Sequence, residues 1–276
     1  MRMDLRSTVR LNNGVEMPWL GYGTYKVGPG EVAEKAVIDA LEVGYRHIDT
    51  ATYYGNEVDV GNAIRKSDIV RDEIFVTTKL WNSDQGYDSA LRAFEDSIER
   101  LDIEYLDLYL IHWPVPGKFC ESWAALEDLY RSGEVRAIGV SNFLTHHLEE
   151  LISDCSVVPV INQVEFHPHL VRLDLLEFCV SREIQMEAWS PLKQGAITHD
   201  GRMADIGLRY GKSASQVTLR WNLQHKVVTI PRTINRSHMQ ENAEIFDFEL
   251  SNAEMMTIDS MDRGENVGPD PDHVDA

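Results

Sequence analysis

The sequence contains little cysteine and no long apolar run. Three cysteines, Cys120, Cys155 and Cys179, occur in 276 residues and none belongs to a Cys-x-x-Cys pair, which argues against both a disulfide scaffold and a zinc framework. No stretch approaches the roughly 18 apolar residues of a membrane helix. Residues 1–10 carry no apolar segment typical of a signal peptide. We therefore expect a cytoplasmic protein.

Positive charge is also scarce, since 26 lysines and arginines face 45 aspartates and glutamates and the formal net charge is −19. A field of this sign repels nucleic acids and anionic membranes, so neither is an expected partner. With 43% apolar and 26% charged residues the composition is that of a soluble globular protein. No linker divides the chain. We predict one domain over 1–276, with a flexible Pro- and Asp-rich tail at 268–276, as a monomer or weak dimer.

Between about residues 20 and 231, short apolar runs alternate with longer amphipathic runs. The short runs are rich in β-branched and aromatic residues and predict buried strands at 46–49, 74–79, 105–112, 135–140, 158–164, 185–189 and 226–230. The longer runs place apolar residues three and four positions apart and predict helices at 31–43, 89–101 and 123–130. Thr145 is a predicted helix cap, and Ser251 with Glu254 forms a capping-box pattern before another helix.

About eight repeats of a strand followed by a helix indicate a parallel sheet with helices outside it. A hairpin of residues 8–11 and 15–17, turning at Asn13 and Gly14, precedes a first strand near 20–24. The pair Gly21 and Gly23 lacks the third glycine and the acidic residue of a dinucleotide fingerprint, which disfavours an open Rossmann sheet. We therefore predict an α/β fold, a (β/α)₈ TIM barrel whose N-terminal hairpin plugs the barrel bottom.

Polar side chains fall at the ends of the predicted strands. Asp49, Lys79 and His112 end three of them, and in a barrel all such ends meet on one face, where active sites lie. Later strands are followed in the same way by Asn142, Gln163, Trp189 and Arg232. The sequence therefore predicts a single site at the C-terminal face of the barrel.

The chemistry of that site depends on Tyr54, which follows Asp49 by five residues. Tyrosine has a usual pKa near 10 and is a weak acid at neutral pH, and we expect the Lys79 ammonium to lower it. Asp49 would hold Lys79, and His112 would donate a hydrogen bond to a substrate oxygen. The pattern predicts a proton donor beside a polarised carbonyl group, although a structural ion pair and a core histidine are the alternatives for its single members.

Several separated segments, in this order, resemble the aldo-keto reductase family from about residue 9 to residue 261. They are GYRHIDTATYYGNEVDVG at 44–61, LDLYLIHWP at 106–114, GVSNF at 139–143, NQVEFHP at 162–168, WSPL at 189–192, and IPRT at 230–233, which leads to Glu241 and Asn242. The short sequence after Ser260 is similar to the prokaryotic branch with the 2,5-diketogluconate and methylglyoxal reductases. The resemblance implies an oxidoreductase that reduces small aldehydes or ketones by hydride transfer from NADPH.

The resemblance also implies roles for individual residues. Tyr54 would be the general acid, tuned by Lys79 and Asp49, while His112 orients the carbonyl group. The implied cofactor residues are Ser141, Asn142 and Gln163 at the nicotinamide carboxamide, Trp189 stacked on the ring with Ser190 and Leu192 beside it, Arg232 and Thr233 at the 2′-phosphate, and Glu241 and Asn242 at the adenine. The implied substrate pocket contains Tyr25, Trp81 and Trp113, and no metal is expected.

The sequence departs from the family at the predicted phosphate site. His238 stands where many members have a second phosphate-binding arginine, and Arg236, two residues away, is a candidate to replace it. We therefore expect NADPH as cofactor, with NADH possible.

Two other functions fit parts of the sequence. Some relatives are non-catalytic, nicotinamide-binding modules that sense redox state, and His167 with His169 has a spacing that metal hydrolases use. The intact set of Asp49, Tyr54 and Lys79 favours the reductase.

Overall fold

The computed structural model describes residues 3–274, and its strands form two sheets. Strands β1 (Thr8–Arg10) and β2 (Glu16–Pro18) form an antiparallel hairpin. The second sheet is parallel and contains, in chain order, β3 (Tyr22–Gly23), β4 (His47–Asp49), β5 (Phe75–Leu80), β6 (Leu108–Ile111), β7 (Ile138–Ser141), β8 (Ile161–Glu165), β9 (Gln185–Trp189) and β10 (Val228–Thr229). Each strand lies beside its neighbours in the sequence.

Ten α-helices lie within residues 3–274, and none has the length and apolar character needed to cross a membrane. They are α1 (Glu31–Val43), α2 (Glu57–Lys66), α3 (Tyr87–Leu101), α4 (Phe119–Ser132), α5 (Thr145–Asp154), α6 (Leu173–Ser181), α7 (Gly201–Leu208), α8 (Ala214–Gln224), α9 (Arg236–Ala243) and α10 (Asn252–Asp259). Most of them connect consecutive strands, which is the arrangement that a parallel sheet requires.

The parallel sheet closes on itself. A parallel bridge joins Leu20 to Thr229, and the backbone N–H of Gly21 donates to the Thr229 carbonyl at 2.9 Å. Because this bridge connects the segment before β3 to β10, the first and last strands become neighbours. The predicted (β/α)₈ barrel is therefore confirmed.

Local signals located the helices well where a capping residue was present. Helix α1 has the predicted bounds, and it ends at Gly44 with φ of 118°. Helix α10 begins with the predicted capping box, in which Ser251 and Glu254 accept from each other's backbone N–H. Thr145 is the first residue of α5 and not its cap, so that prediction is wrong; Leu144 precedes the helix, and the backbone N–H of Leu144 donates to His147 Nδ1.

The N-terminal hairpin plugs the bottom of the barrel, as predicted. Leu11 and Met17 are buried. They pack against a cluster of inward-facing strand residues, namely Phe75, Leu108, Leu110, Ala137, Val160, Ile161 and Val228. The cluster closes the face of the barrel opposite to the C-terminal ends of the strands.

The C-terminal segment contacts the rest of the barrel, and the predicted flexibility of 268–276 stays a prediction; residues 275 and 276 of that range lie outside the described residues. The backbone N–H groups of Val267 and Gly268 donate to the two carboxylate oxygens of Glu165, at 2.7 and 3.0 Å. Pro271 is buried, and Asp272 pairs with His146 at 2.9 Å. The segment packs because Glu165, a buried carboxylate at the end of β8, needs hydrogen-bond donors.

We predict that Met17→Ala destabilises the protein by about 2–5 kcal/mol, because truncating a buried methionine leaves a cavity in the plug. Met256, on α10, is 71% exposed, so Met256→Ala is a matched control that should change stability by less than about 0.5 kcal/mol. Urea unfolding followed by circular dichroism measures both. Equal losses in the two variants would show that the hairpin does not contribute to the core.

Candidate active site

The C-terminal ends of the strands surround a cavity of about 720 Å³. Every residue to which the family resemblance gave a role lines this cavity except Lys79, which lies beneath it and is wholly buried. The predicted convergence of the strand ends therefore places these side chains together, and their individual roles remain predictions.

A buried ion pair forms the floor of the cavity. Lys79 Nζ lies 2.6 Å from Asp49 Oδ1, and it also donates to the Thr50 carbonyl at 2.8 Å. The third neighbour of the ammonium is the Tyr54 hydroxyl at 3.4 Å. Strands β4 and β5 are adjacent, so the ends of these two strands bring Asp49 and Lys79 together.

The expected lowering of the Tyr54 pKa is wrong, because the net shift is upward. Burial raises the pKa of Tyr54 well above 10, and the negative charge of Asp49 adds to the shift. The ammonium does not reverse this because Asp49, at 2.6 Å, neutralises most of its field. Tyr54 therefore carries its proton at neutral pH, which is the state that a proton donor requires.

His112 lines the cavity next to Tyr54, with ring centroids 5.7 Å apart. Burial lowers the pKa of His112 well below 6.5, and the Lys79 charge acts in the same direction. The imidazole is therefore neutral. Its Nδ1 is buried without a hydrogen-bond partner in residues 3–274.

Four non-glycine residues that line the cavity, Lys26, Asn142, Ser190 and Gln194, have left-handed backbone conformations that are uncommon outside glycine. Asn142 follows β7 with φ of 66°, and Ser190 follows β9 with φ of 47°. Such conformations cluster at functional sites. The turn at Asn142 directs its side chain between two neighbours, because Nδ2 donates to the His112 carbonyl at 2.9 Å and Oδ1 accepts from Trp189 Nε1 at 2.8 Å. Trp189 is thereby held in one orientation.

Aromatic rings form one wall of the cavity. The rings of Tyr25 and Tyr54 lie 5.0 Å apart, and Trp113 stacks beside His112. Tyr53, which the sequence analysis did not include, is 55% exposed and stacks on Trp81 with centroids 3.9 Å apart. Its neighbour Tyr54 was the only signal, because both tyrosines lie on one 3₁₀ turn.

The opposite end of the cavity is polar. Arg232 is exposed and forms no ion pair with any carboxylate in residues 3–274. Thr233 is held in place because its carbonyl accepts from the Tyr22 hydroxyl at 2.8 Å. Arg236, the candidate second cation, pairs instead with Asp39 and Glu42 of α1.

Arg236 is thus bound outside the cavity, and His238 lines it. The suggestion that Arg236 replaces the missing arginine is therefore wrong in this structure, because its guanidinium pairs with two carboxylates of α1.

The C-terminal segment is also part of the site, although no sequence pattern indicated it. Val267, Gly268 and Pro269 line the cavity. Gly268 is necessary there, since an added Cβ would come within 2.5 Å of the Trp189 ring. No local pattern announces this contact, because it joins segments far apart in the chain.

The family model described as Aldo/keto reductase family matches residues 19–263. The chain belongs to the aldo/keto reductase family. It is 52% identical over 274 residues to the glyoxal reductase of Bacillus subtilis, with 99% of each chain covered. It is 42% identical over 268 residues to the methylglyoxal reductase DkgA of Salmonella typhimurium, with 96% of each chain covered.

Solved structures agree with this assignment. The aldo-keto reductase MGS-M4, from a deep-sea metagenome library, has a TM-score of 0.94 and 43% identity, covering 98% of this chain and 100% of that one. A mutant of Gox0644 in complex with NADPH has a TM-score of 0.93 and 40% identity, covering 98% and 99%. The family indicated by the sequence motifs is therefore confirmed, and the chain is an oxidoreductase.

The geometry of His167 and His169 does not support the shared metal site of the metal-hydrolase alternative. His167 uses both ring nitrogens, because Nε2 lies 2.8 Å from Glu165 and Nδ1 accepts from the His169 backbone N–H. The rings of His167 and His169 are perpendicular, with centroids 6.4 Å apart.

We predict that Lys79→Met destabilises this aldo/keto reductase by about 3–5 kcal/mol, because it leaves the Asp49 carboxylate buried without its partner. The exposed pair of Lys66 with Glu34 supplies the control, and Lys66→Met should cost less than about 1 kcal/mol. Urea unfolding at neutral pH compares the two. A similar small loss in both variants would contradict a strongly coupled buried pair.

Proposed function

We propose that the protein reduces small aldehydes and ketones, α-oxoaldehydes such as glyoxal among them, by hydride transfer from NADPH, with Tyr54 as the general acid. The observation that carries the proposal is the half-buried Tyr54, whose hydroxyl lies 3.4 Å from the Lys79 ammonium at the floor of an aromatic cavity. The names of the glyoxal and methylglyoxal reductases, at 52% and 42% identity, support this class of substrate.

The residues of the cavity fit a nicotinamide cofactor. Trp189 offers a flat face for ring stacking, with Ser190 and Leu192 beside it, and Ser141, Asn142 and Gln163 supply polar groups nearby. At the other end Arg232 is a cation without a carboxylate partner in the described residues, which suits a phosphate. Thr233, Glu241 and Asn242 complete this end of the cavity.

The protein's part in the reaction is to hold and move one proton. When bound, NADPH supplies the hydride. Tyr54 donates its phenolic proton to the carbonyl oxygen, and the Lys79 ammonium stabilises the phenolate that remains. Asp49 keeps Lys79 in place, and neutral His112 donates a hydrogen bond that orients the carbonyl group.

The shape of the cavity supports a preference for small substrates. Its reactive floor lies among the rings of Tyr25, Tyr53, Trp81 and Trp113, which suit a short apolar or dicarbonyl molecule. The carbonyl oxygen is the only atom that such a substrate must direct toward Tyr54. We expect broad activity across small reactive aldehydes.

We further infer that the protein works in the cytoplasm, as a monomer or weak dimer without nucleic-acid or membrane partners. Its three cysteines are free, and burial raises the pKa of each thiol. Free thiols of this kind suit a reducing compartment.

Absorbance at the reduced nicotinamide band tests the proposed function, with glyoxal, methylglyoxal and an aromatic aldehyde as substrates. We predict that NADPH is consumed and that Tyr54→Phe lowers kcat by at least about 100-fold, because it removes the proton donor. Tyr53→Phe is the matched control, since it removes a hydroxyl from the neighbouring residue and leaves a ring that can stack on Trp81. NADPH binding without turnover by the wild type would instead favour a redox-sensing module.

A second variant tests cofactor choice. We predict that His238→Arg raises the preference for NADPH over NADH by about tenfold in kcat/KM, because a guanidinium stays charged and hydrogen bonds to phosphate well. Arg232→Met should shift the preference in the opposite direction. An unchanged cofactor preference in both variants would show that the 2′-phosphate does not bind at Arg232 and His238.

A further inference from the structure

The Gln163 side chain is held by two carboxyl groups inside the barrel. Its Nε2 donates to Asp49 Oδ2 at 2.8 Å and to Glu187 Oε2 at 2.7 Å. Gln163 and Glu187 are register partners on the adjacent strands β8 and β9. Asp49 reaches the same amide from β4, across the barrel.

These contacts determine which way the Gln163 amide faces. An amide NH₂ group has two hydrogens to donate, and its oxygen can only accept. A turned amide would point its oxygen at the Asp49 carboxylate, which is already committed as an acceptor to Lys79. The NH₂ group therefore faces the two carboxyl groups, and the amide oxygen is left for a ligand in the cavity that Gln163 lines.

Glu187 is the member of this network that the proposed reaction does not use. It is wholly buried below the cavity. The titratable groups around it are Asp49, His47, Lys79 and Tyr54. Burial raises the pKa of Glu187 to about 8, and the Asp49 charge adds to the shift, while Gln163 and Lys79 oppose it. At neutral pH Glu187 is therefore a neutral carboxylic acid.

The position of His47 agrees with a proton on Glu187. Burial lowers the pKa of His47 to about 3, so the ring is neutral, and its Nε2 lies 3.1 Å from the Thr77 hydroxyl. His47 Nδ1 and Glu187 Oε1 are 3.7 Å apart, and neither has a hydrogen-bond partner among residues 3–274. One proton on Glu187 Oε1, with a small approach, would satisfy both buried atoms.

We propose that Glu187 is a positioning residue for the nicotinamide: together with Asp49 it holds the Gln163 amide so that its oxygen faces the cofactor's carboxamide NH₂ group. This inference rests on the proposed function, because it needs the carboxamide to bind at Gln163. Glu187 touches neither cofactor nor substrate and acts through Gln163 alone. Its neutral state adds a hydrogen bond without placing a second full negative charge beside Asp49.

The structure suggests two substitutions with different outcomes. Glu187→Leu removes the second acceptor, so the Gln163 amide loses one of its two anchors and becomes free to shift. Glu187→Gln keeps the shape of the neutral acid, with an oxygen to accept from Gln163 and an NH₂ group to donate to His47 Nδ1. The glutamine variant should therefore restore what the leucine variant loses.

Quenching of protein fluorescence by NADPH measures the dissociation constant without turnover. We expect Glu187→Leu to weaken NADPH binding about tenfold and Glu187→Gln to return it to within about threefold of the wild type. Gln163→Met, combined with Glu187→Leu, should be no weaker than Gln163→Met alone, because the two residues act as one unit. Glu127→Leu is the control, since Glu127 is a buried carboxylate on α4 that hydrogen bonds backbone N–H groups far from the cavity.

Additive losses in the double variant, or an unchanged dissociation constant in Glu187→Leu, would overturn the proposal. Circular dichroism at the assay temperature ensures that only folded variants are compared. If the wild type itself fails to bind NADPH, the proposed function fails. If the wild type binds NADPH and Glu187→Leu binds it equally tightly, only the role of Glu187 is overturned.

The cofactor-free protein supplies a second readout that covers a variant too unstable to assay. An acid whose pKa rises from 4.5 in the unfolded chain to about 8 in the fold contributes stability that declines as pH rises between these values. Neutralisation of His47 and His112 in the unfolded chain opposes this decline below about pH 6.5. Between pH 6.5 and 8 the Tm of the wild type should therefore fall, and the Tm of Glu187→Gln should fall less. Parallel Tm curves would show that Glu187 is not the buried acid that the proposal requires.

Discussion

Closure of the parallel sheet is the constraint on which the rest of the structure depends. The bridge between Leu20 and Thr229 makes neighbours of two segments more than two hundred residues apart in the chain. Once the sheet is closed, the C-terminal ends of all eight strands face one rim, and the hairpin with Leu11 and Met17 fills the other. Polar side chains at the strand ends then have a single cavity to share.

The floor of that cavity is shielded from solvent. Lys79 and Asp49 lie where water cannot screen them, so their pairing depends on a direct contact and on hydrogen bonds to Thr50 and Gln163. The same shielding from solvent disfavours charged side chains, so Tyr54 stays protonated and His112 stays neutral. Each group thus remains in the protonation state that carbonyl reduction requires, with no bound metal needed in the scheme proposed here.

Much of the architecture could be predicted from local patterns. The bounds of α1 followed from its apolar spacing and from Gly44, and the capping box of Ser251 and Glu254 located α10. Convergence at the rim followed from the topology alone. Contacts between distant segments were not predictable in this way. The direction of the Tyr54 pKa shift depends on burial by the whole rim, and the roles of Glu187 and Glu165 depend on what packs beside β9 and β8.

The anchoring of the C-terminal segment has a consequence for how such a site can diversify. Glu165 holds Val267 and Gly268 through their backbone N–H groups, which every residue except proline possesses. A substitution at Val267 therefore alters the lining of the cavity and leaves the anchor intact. Gly268 has no such freedom because the Trp189 ring fills the space of a Cβ. New substrate preferences can thus arise by exchanging side chains in this wall one at a time, whereas an insertion or deletion there would displace the anchor itself.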